Sequence, residues 1–211
     1  GEAQATRGTD GTQEHGIRGN LETLAGVINR RRPKSRGLAT DEDWRPDWRV
    51  GLLPSYKEHR TAEPVPPLLE PQMPVVMECL EAVGIDALGV PDYEAEDVIA
   101  SLVARVEAPI EIYSGDRDLF SLIRDREVIV LYPEKTGLAE VDEAEVARRY
   151  SIPGGGYADF AILRGDPSDG LPGVAGVGAK KAADLVRRYG SVSAMLEAGI
   201  FRDADAEYLR K

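Results

Sequence analysis

The chain has 211 residues, 42% of them hydrophobic and 30% charged, with a formal net charge of −11. That length can bury one substantial core beside a smaller module, and no apolar run reaches the roughly 18 residues that a membrane span needs. The single cysteine, Cys79, excludes a disulfide framework and a Cys-rich zinc site, and two histidines, His15 and His59, leave any catalysis to carboxylates.

The start carries no signal-peptide pattern, so a cytoplasmic protein with no membrane partner is expected. The acidic balance argues against a nucleic-acid partner, because phosphate binding rests on Lys and Arg releasing counterions. Acids gathered around divalent metals would lower the formal charge without repelling phosphate once the metals are bound, so the total does not decide the matter.

Residues 1–16, "GEAQATRGTDGTQEHG", are polar and aperiodic and read as a mobile segment. Ile17, Leu21, Leu24 and Ile28 then recur at helical spacing, and the helix ends in "RRRPK", cations that suit a helix C-terminus. "RGLATDEDW" gives a short strand ending in acids. From Trp44 to Pro74 the chain carries Trp44, Trp48, prolines and cations without a sustained period, which predicts an irregular excursion, an arch or lid over about residues 45–75.

Val75 to Val83 is expected to be helical, "IDALGV" a strand, and "YEAEDVIASLVARV" a helix with Val98, Ile99, Leu102, Val103 and Val106 on one face. "IEIYSG" reads as a strand, "DLFSLI" as a short helix, "EVIVLYP" as a strand and "DEAEVARRY" as a helix. The alternation predicts an α/β fold with a mostly parallel sheet flanked by helices. Strands stop after Tyr157. Helices "YADFAILRG", "KKAADLVRRYG" and "SVSAMLEAG" form a small helical module, giving a body over residues 1–150 and a module over 151–211.

Ligands of open α/β sheets bind beyond the carboxyl ends of the strands. Acids stand at three such ends: Asp41, Glu42 and Asp43; Glu94, Glu96 and Asp97; Asp116 and Asp118. Asp166 and Asp169 open the helical module. Each group alone fits a plainer reading, dipole complement or turn. Together, carboxylates so close would repel and call for hard divalent cations, which prefer oxygen ligands. Two ions about 4 Å apart can activate water and stabilise the leaving oxygen in phosphodiester cleavage. In "GVAGVGAKKA", Gly176 and Gly178 permit close backbone approach, the next helix offers free N–H groups, and Lys180 and Lys181 add charge, a clamp for a nucleic-acid backbone.

"EAEDVIASL", "SGDRDLFSLI" and "RGDPSDGLPGVAGVGAKKA", in that order, closely resemble the 5'-nuclease family: flap endonucleases and the 5'-3' exonuclease domain of bacterial DNA polymerase I. "DEDWRPDWRVGLLPSYKEHR" is most similar to stand-alone actinobacterial members. The resemblance implies a PIN-like body, a helix-three-turn-helix DNA-binding module, and cleavage of DNA at 5' flaps or 5' ends in replication and repair, alongside a DNA polymerase or other repair proteins. It implies two Mg²⁺ or Mn²⁺ ions on Asp41, Glu94, Glu96, Asp97, Asp116, Asp118, Asp166 and Asp169, with Asp43 as an alternative to Asp41. Arg49 and Lys57 would approach the scissile phosphate, Tyr56 would stack on the terminal base, and Arg60 would contact DNA. Gly176, Gly178, Lys180 and Lys181 would hold the duplex, with K⁺ at the turn carbonyls.

The family opens with a strand ending in a metal-ligand aspartate, and nothing before "TDGT" supplies one; Asp10 follows no apolar run. Truncation of the chain and loss of the ligand both remain open, the second implying a catalytically impaired DNA-junction binder. "EAED" also stands where the family has "EADD", so Glu96 is one methylene longer than expected.

Overall fold

The computed structural model describes residues 15–62 and 70–211. The segment holding Asp10 and seven residues of the expected arch lie outside the described residues. Helix α1 spans His15–Arg31, strand β1 Gly37–Ala39 and helix α2 Asp47–Leu52, followed by a 3₁₀ turn over Glu58–Ala62. Helix α3 covers Met73–Ala82, β2 Asp86–Leu88, α4 Ala95–Val103 and β3 Ile110–Tyr113, with another 3₁₀ turn over Asp118–Leu122. Strands β4 (Val128–Glu134) and β5 (Gly137–Val141) precede α5 (Glu143–Tyr150), α6 (Tyr157–Arg164), α7 (Ala179–Tyr189), α8 (Val192–Glu197) and α9 (Asp203–Leu209).

The strands form two sheets rather than one. β1 pairs with β2 in parallel, Leu38 opposite Ala87, while β3 pairs in parallel with β4, Ile112 opposite Val130. β5 runs antiparallel to β4 and was not expected from the sequence. Its residues, "GLAEV", are short and mixed, and the hairpin turns on Gly137 at φ +129°, a conformation that glycine adopts without strain. The helix α9 was likewise not anticipated.

The core follows from this pairing. Val128, Val130 and Val141 of the three-stranded sheet meet Val146, Phe120, Tyr157, Phe160, Leu163, Val186 and Met195, so the sheet and the helices from α5 onward share one apolar cluster. β4 reads as a nearly continuous apolar run because its central residues are covered. The salt bridges of Arg31 tie the end of α1 to Glu111 on β3 and Glu140 on β5. These contacts anchor the end of α1 on the three-stranded sheet, whose first strand, β3, leads at its carboxyl end to Asp116 and Asp118.

Candidate active site

The carboxyl ends of β1, β2 and β3 lead to Asp41, to Glu94–Asp97 and to Asp116–Asp118, as the sequence predicts. Asp41 Oδ1 accepts from Ala95 N–H at 2.7 Å, so the acid after β1 reaches the first turn of α4. Asp43 instead accepts from Arg45 N–H at 2.9 Å, closing a local turn.

Two groups of carboxylates meet here. Burial, helped by the neighbouring charges of Asp116 and Asp41, raises the Glu96 carboxyl above its ordinary range. Asp118 is pushed up more strongly, first by burial, then by a hydrogen bond with Asp169 and by the charges of Asp116, Asp169 and Asp166. Asp116 acts on both: its charge raises Glu96 together with that of Asp41, and raises Asp118 together with those of Asp169 and Asp166.

Asp166 is held differently. Burial works to raise it, but bonds from Ser168 Oγ and Ser168 N–H, with the charges of Arg164 and Arg117, outweigh burial and keep it ionised below its usual value. Asp166 and Leu171 exchange backbone bonds of 3.0 and 2.9 Å, which closes the turn that presents Asp169.

Glu94 and Asp97 have another environment. Glu94 is 3% exposed and accepts from Lys57 Nζ at 2.5 Å, Arg49 Nη1 at 2.5 Å and Tyr56 Oη at 2.6 Å. Arg49 also forks onto Asp97, its Nη2 2.7 Å from Oδ1. A buried carboxylate needs such partners, and charge-assisted pairs are the strong ones. Burial and the Glu94 bond raise the Tyr56 hydroxyl well above its usual range, so it stays a donor.

The structure therefore brings Arg49, Tyr56 and Lys57 onto the acids of α4, and Arg60 onto the acidic turn, where its guanidinium reaches Ser168 O at 2.7 Å and Asp169 at 3.3 Å. Among the described residues, no three carboxylates or other ligating side chains stand close enough around one point to hold an ion. The oxygens of Glu94 and Asp97 are already taken by cations. The donor set nonetheless fits a hard divalent ion: all oxygen, mutually repelling and partly buried.

Gly176 and Gly178 stand on an exposed turn leading into α7, and Lys180 and Lys181 are exposed in the first turn of that helix. Val174 and Val177 are buried beneath it and hold it in place. Gly176 has φ +70°, a Cβ on either glycine would meet open space, and Gly178 caps α7 without a side-chain bond. Backbone N–H groups and two cations thus face outward together.

Several contributors were not visible in the sequence. Arg45 braces the excursion through Tyr56 O at 2.6 Å and Pro54 O at 3.0 Å, and Ser55 Oγ donates to Gly170 O across 115 residues. No local pattern marks such distant pairings.

Residues 2–151 match the N-terminal resolvase-like domain of 5'-3' exonucleases, and residues 152–208 match their C-terminal SAM fold. The chain is 46% identical over 205 residues to a 5'-3' exonuclease of Streptomyces coelicolor, covering 92% of this chain and 68% of that one. It is 45% identical over 209 residues to a 5'-3' exonuclease of Mycobacterium tuberculosis, covering 90% of this chain and 65% of that one. A crystal structure of T5 D15 protein with metal ions is similar at a TM-score of 0.72 and 17% identity, over 92% of this chain and 74% of that one, a likeness of fold. No helix among the described residues is long and apolar enough to cross a membrane. On both domain matches and on identity across nine-tenths of its length, the chain belongs to the 5'-3' exonuclease family.

Proposed function

We propose that this chain is a structure-selective 5'-nuclease that hydrolyses DNA phosphodiesters at 5' ends and 5' flaps, with Mg²⁺ or Mn²⁺ as cofactor. Residues 1–150 form the cutting body and 151–211 the module that grips duplex. The observation that carries the reading is that the charge of Asp116 bears on both Glu96 and Asp118, with Lys57 and Arg49 paired to the neighbouring acids Glu94 and Asp97. Names borne by two relatives, of whose lengths the chain spans 68% and 65%, support it.

Asp41, Glu96 and Asp116 would hold one ion, and Asp116, Asp118, Asp166 and Asp169 the other. The ions supply an activated water and charge stabilisation for the departing oxygen. The chain's own residues do the rest. Glu94 and Asp97 keep Arg49 and Lys57 gathered beside the acids, where a guanidinium and an ammonium attract a phosphodiester and offset its developing charge. Gly176 and Gly178 let the duplex backbone approach the start of α7, and Lys180 and Lys181 pair with its phosphates. Because Asp166 and Gly176 belong to one connected turn, the distance between grip and cut is set by a short, folded stretch.

The test is a labelled 5'-flap duplex with Mg²⁺ or Mn²⁺. Wild type is expected to cleave it and Asp116→Ala to lose cleavage by at least 100-fold, as about 3 kcal/mol or more of transition-state stabilisation goes. No cleavage by wild type, or full activity in Asp116→Ala, overturns the reading.

A further inference from the structure

The chain has two tryptophans, and both sit in the excursion at the edge of the acids with their surfaces open: Trp44 is 42% exposed and Trp48 is 44% exposed. Trp48 is also held firmly. Its indole N–H donates to Asp92 O at 3.0 Å, its ring centroid lies 6.1 Å from that of Tyr93, and the Arg49 guanidinium lies 4.5 Å from its ring centre. That same Arg49 is forked onto Asp97 and bonded to Glu94. The ring is thus positioned from three directions and tied to the acids through one side chain, yet left uncovered.

A large aromatic ring kept in water has lost the burial that would normally justify it. The ring offers a flat, sequence-indifferent surface, and bases stack on such surfaces. Tyr56, on the same excursion, is less open: it is half-buried, and its hydroxyl is bound to Glu94.

We propose that Trp48, buttressed by Tyr93 and Arg49, is a stacking platform for an unpaired base of the strand entering the acids, and so favours substrates with a single-stranded 5' extension. The occupant follows from charge as well as shape. Arg49 and Arg60, ion-paired to Glu94, Asp97 and Asp169, keep 23% and 38% of their side chains exposed on the same excursion, so a strand that lays a base on Trp48 brings its phosphates within reach of two cations, whereas an apolar protein surface would offer them no further anion. The identity of the strand rests on the nuclease reading above.

The experiment uses the full chain with Ca²⁺ in place of Mg²⁺, so that DNA is bound without turnover. In a Trp44→Phe background, Trp48 is the sole tryptophan, and its emission is expected to fall on titration with a 5'-flap duplex and to change little with the same duplex lacking the flap. Trp48→Ala should weaken flap binding by about 5- to 100-fold, the range of one lost base stack, and blunt-duplex binding by less than about twofold. Trp48→Tyr, which keeps a ring, should stay within about threefold of wild type, and thermal melts of each variant confirm folding.

Equal losses on both DNAs, or emission unmoved by flap binding, overturn the platform. The two readings separate cleanly. A Trp44→Phe protein that cleaves flaps without quenching refutes the platform alone. A Trp44→Phe protein that is quenched by the flap, while neither it nor wild type cleaves with Mg²⁺ or Mn²⁺, refutes the nuclease reading alone.

Discussion

Gly170 packs so closely on Ser55 that a Cβ there would overlap the Ser55 carbonyl oxygen and stand 3.3 Å from Lys57 N. Three bonds cross the same seam: Ser55 Oγ to Gly170 O at 2.8 Å, Lys57 N to Asp169 O at 3.0 Å, and Arg60 to Ser168 O at 2.7 Å. The excursion that carries Lys57 is therefore seated directly on the turn that carries Asp169. Gly170 also has φ +71°, so any side chain there is both strained and obstructed.

Gly170→Ala is expected to lower flap cleavage at saturating metal by more than tenfold, because Lys57 is pushed from Glu94, and to lower stability by about 2 kcal/mol. Gly84→Ala is the comparison: φ +71°, open space, and about 1 kcal/mol of strain alone. Urea melts and single-turnover cleavage of both variants check this. Equal cleavage losses in the two would mean that the seam does not position Lys57.

The partners of Glu94 predict an order of stability. Lys57→Met leaves Glu94 with Arg49 and Tyr56 and should cost about 1–3 kcal/mol. Glu94→Gln leaves Lys57, itself only 8% exposed, without its ion pair, and frees Arg49 on one side, so about 3–5 kcal/mol is expected. Urea denaturation at neutral pH reads both, and a larger loss in Lys57→Met would contradict the assignment of Glu94 as the hub.

Crowding among the acids predicts the effect of metal removal. Asp118 is raised by burial and by Asp169, Asp116 and Asp166, so the metal-free protein bears repulsion that bound cations would relieve. Mg²⁺ or Mn²⁺ should raise the melting temperature of wild type, and EDTA should reverse the gain. Asp118→Asn should melt higher than wild type in EDTA and gain less from metal. An Asp118→Asn protein that melts lower in EDTA would show that the carboxylate is not under repulsion.

Asp116 and Asp118 were legible because they follow the apolar strand "IEIYSG", and the turn from Gly176 to Lys181 because its glycines and lysines keep a recognisable local order; the short strands before Asp41 and Glu94 gave weaker signals, and Asp166 and Asp169 follow a helix. The division into two sheets was not legible, since it depends on which strand edges meet rather than on any strand's own residues. β5 escaped notice because a five-residue strand of mixed polarity has no period to read. Glu94 looked like its acidic neighbours in sequence. Its distinct electrostatics come from Arg49, Tyr56 and Lys57, 37 to 45 residues away, whose approach depends on the excursion folding back.

Away from the acids, α5 offers a pH test. Glu145 is lowered to about 2 by bonds from Arg148 and then Arg149. For a depressed carboxyl, the stabilising contribution is present above its ordinary value near 4.5 and is lost as pH falls toward 2. The side chain is exposed, so the effect on stability is small, but its side-chain carbonyl carbon shift should titrate with a midpoint near 2. Arg148→Ala should move that midpoint upward, and a wild-type midpoint near 4.5 would show that the ion pairs do not form in solution.

Tyr157 tests the core that joins the sheet to the helices. It is 0% exposed, with ring centroids 5.4 Å from Phe120 and 5.1 Å from Tyr150, and its hydroxyl has no hydrogen-bond partner among the described residues. An unpaired buried hydroxyl carries a desolvation cost of about 1–3 kcal/mol, whereas the ring contributes packing. The two can be separated. Tyr157→Phe removes the cost and keeps the ring, so stability should hold or rise by about 1 kcal/mol; Tyr157→Leu loses the aromatic contacts and should fall by about 2–4 kcal/mol. If Tyr157→Phe instead falls by more than about 1 kcal/mol in urea melts, the hydroxyl is bonded to a buried water, and the aromatic cluster is held by a polar contact as well as by packing.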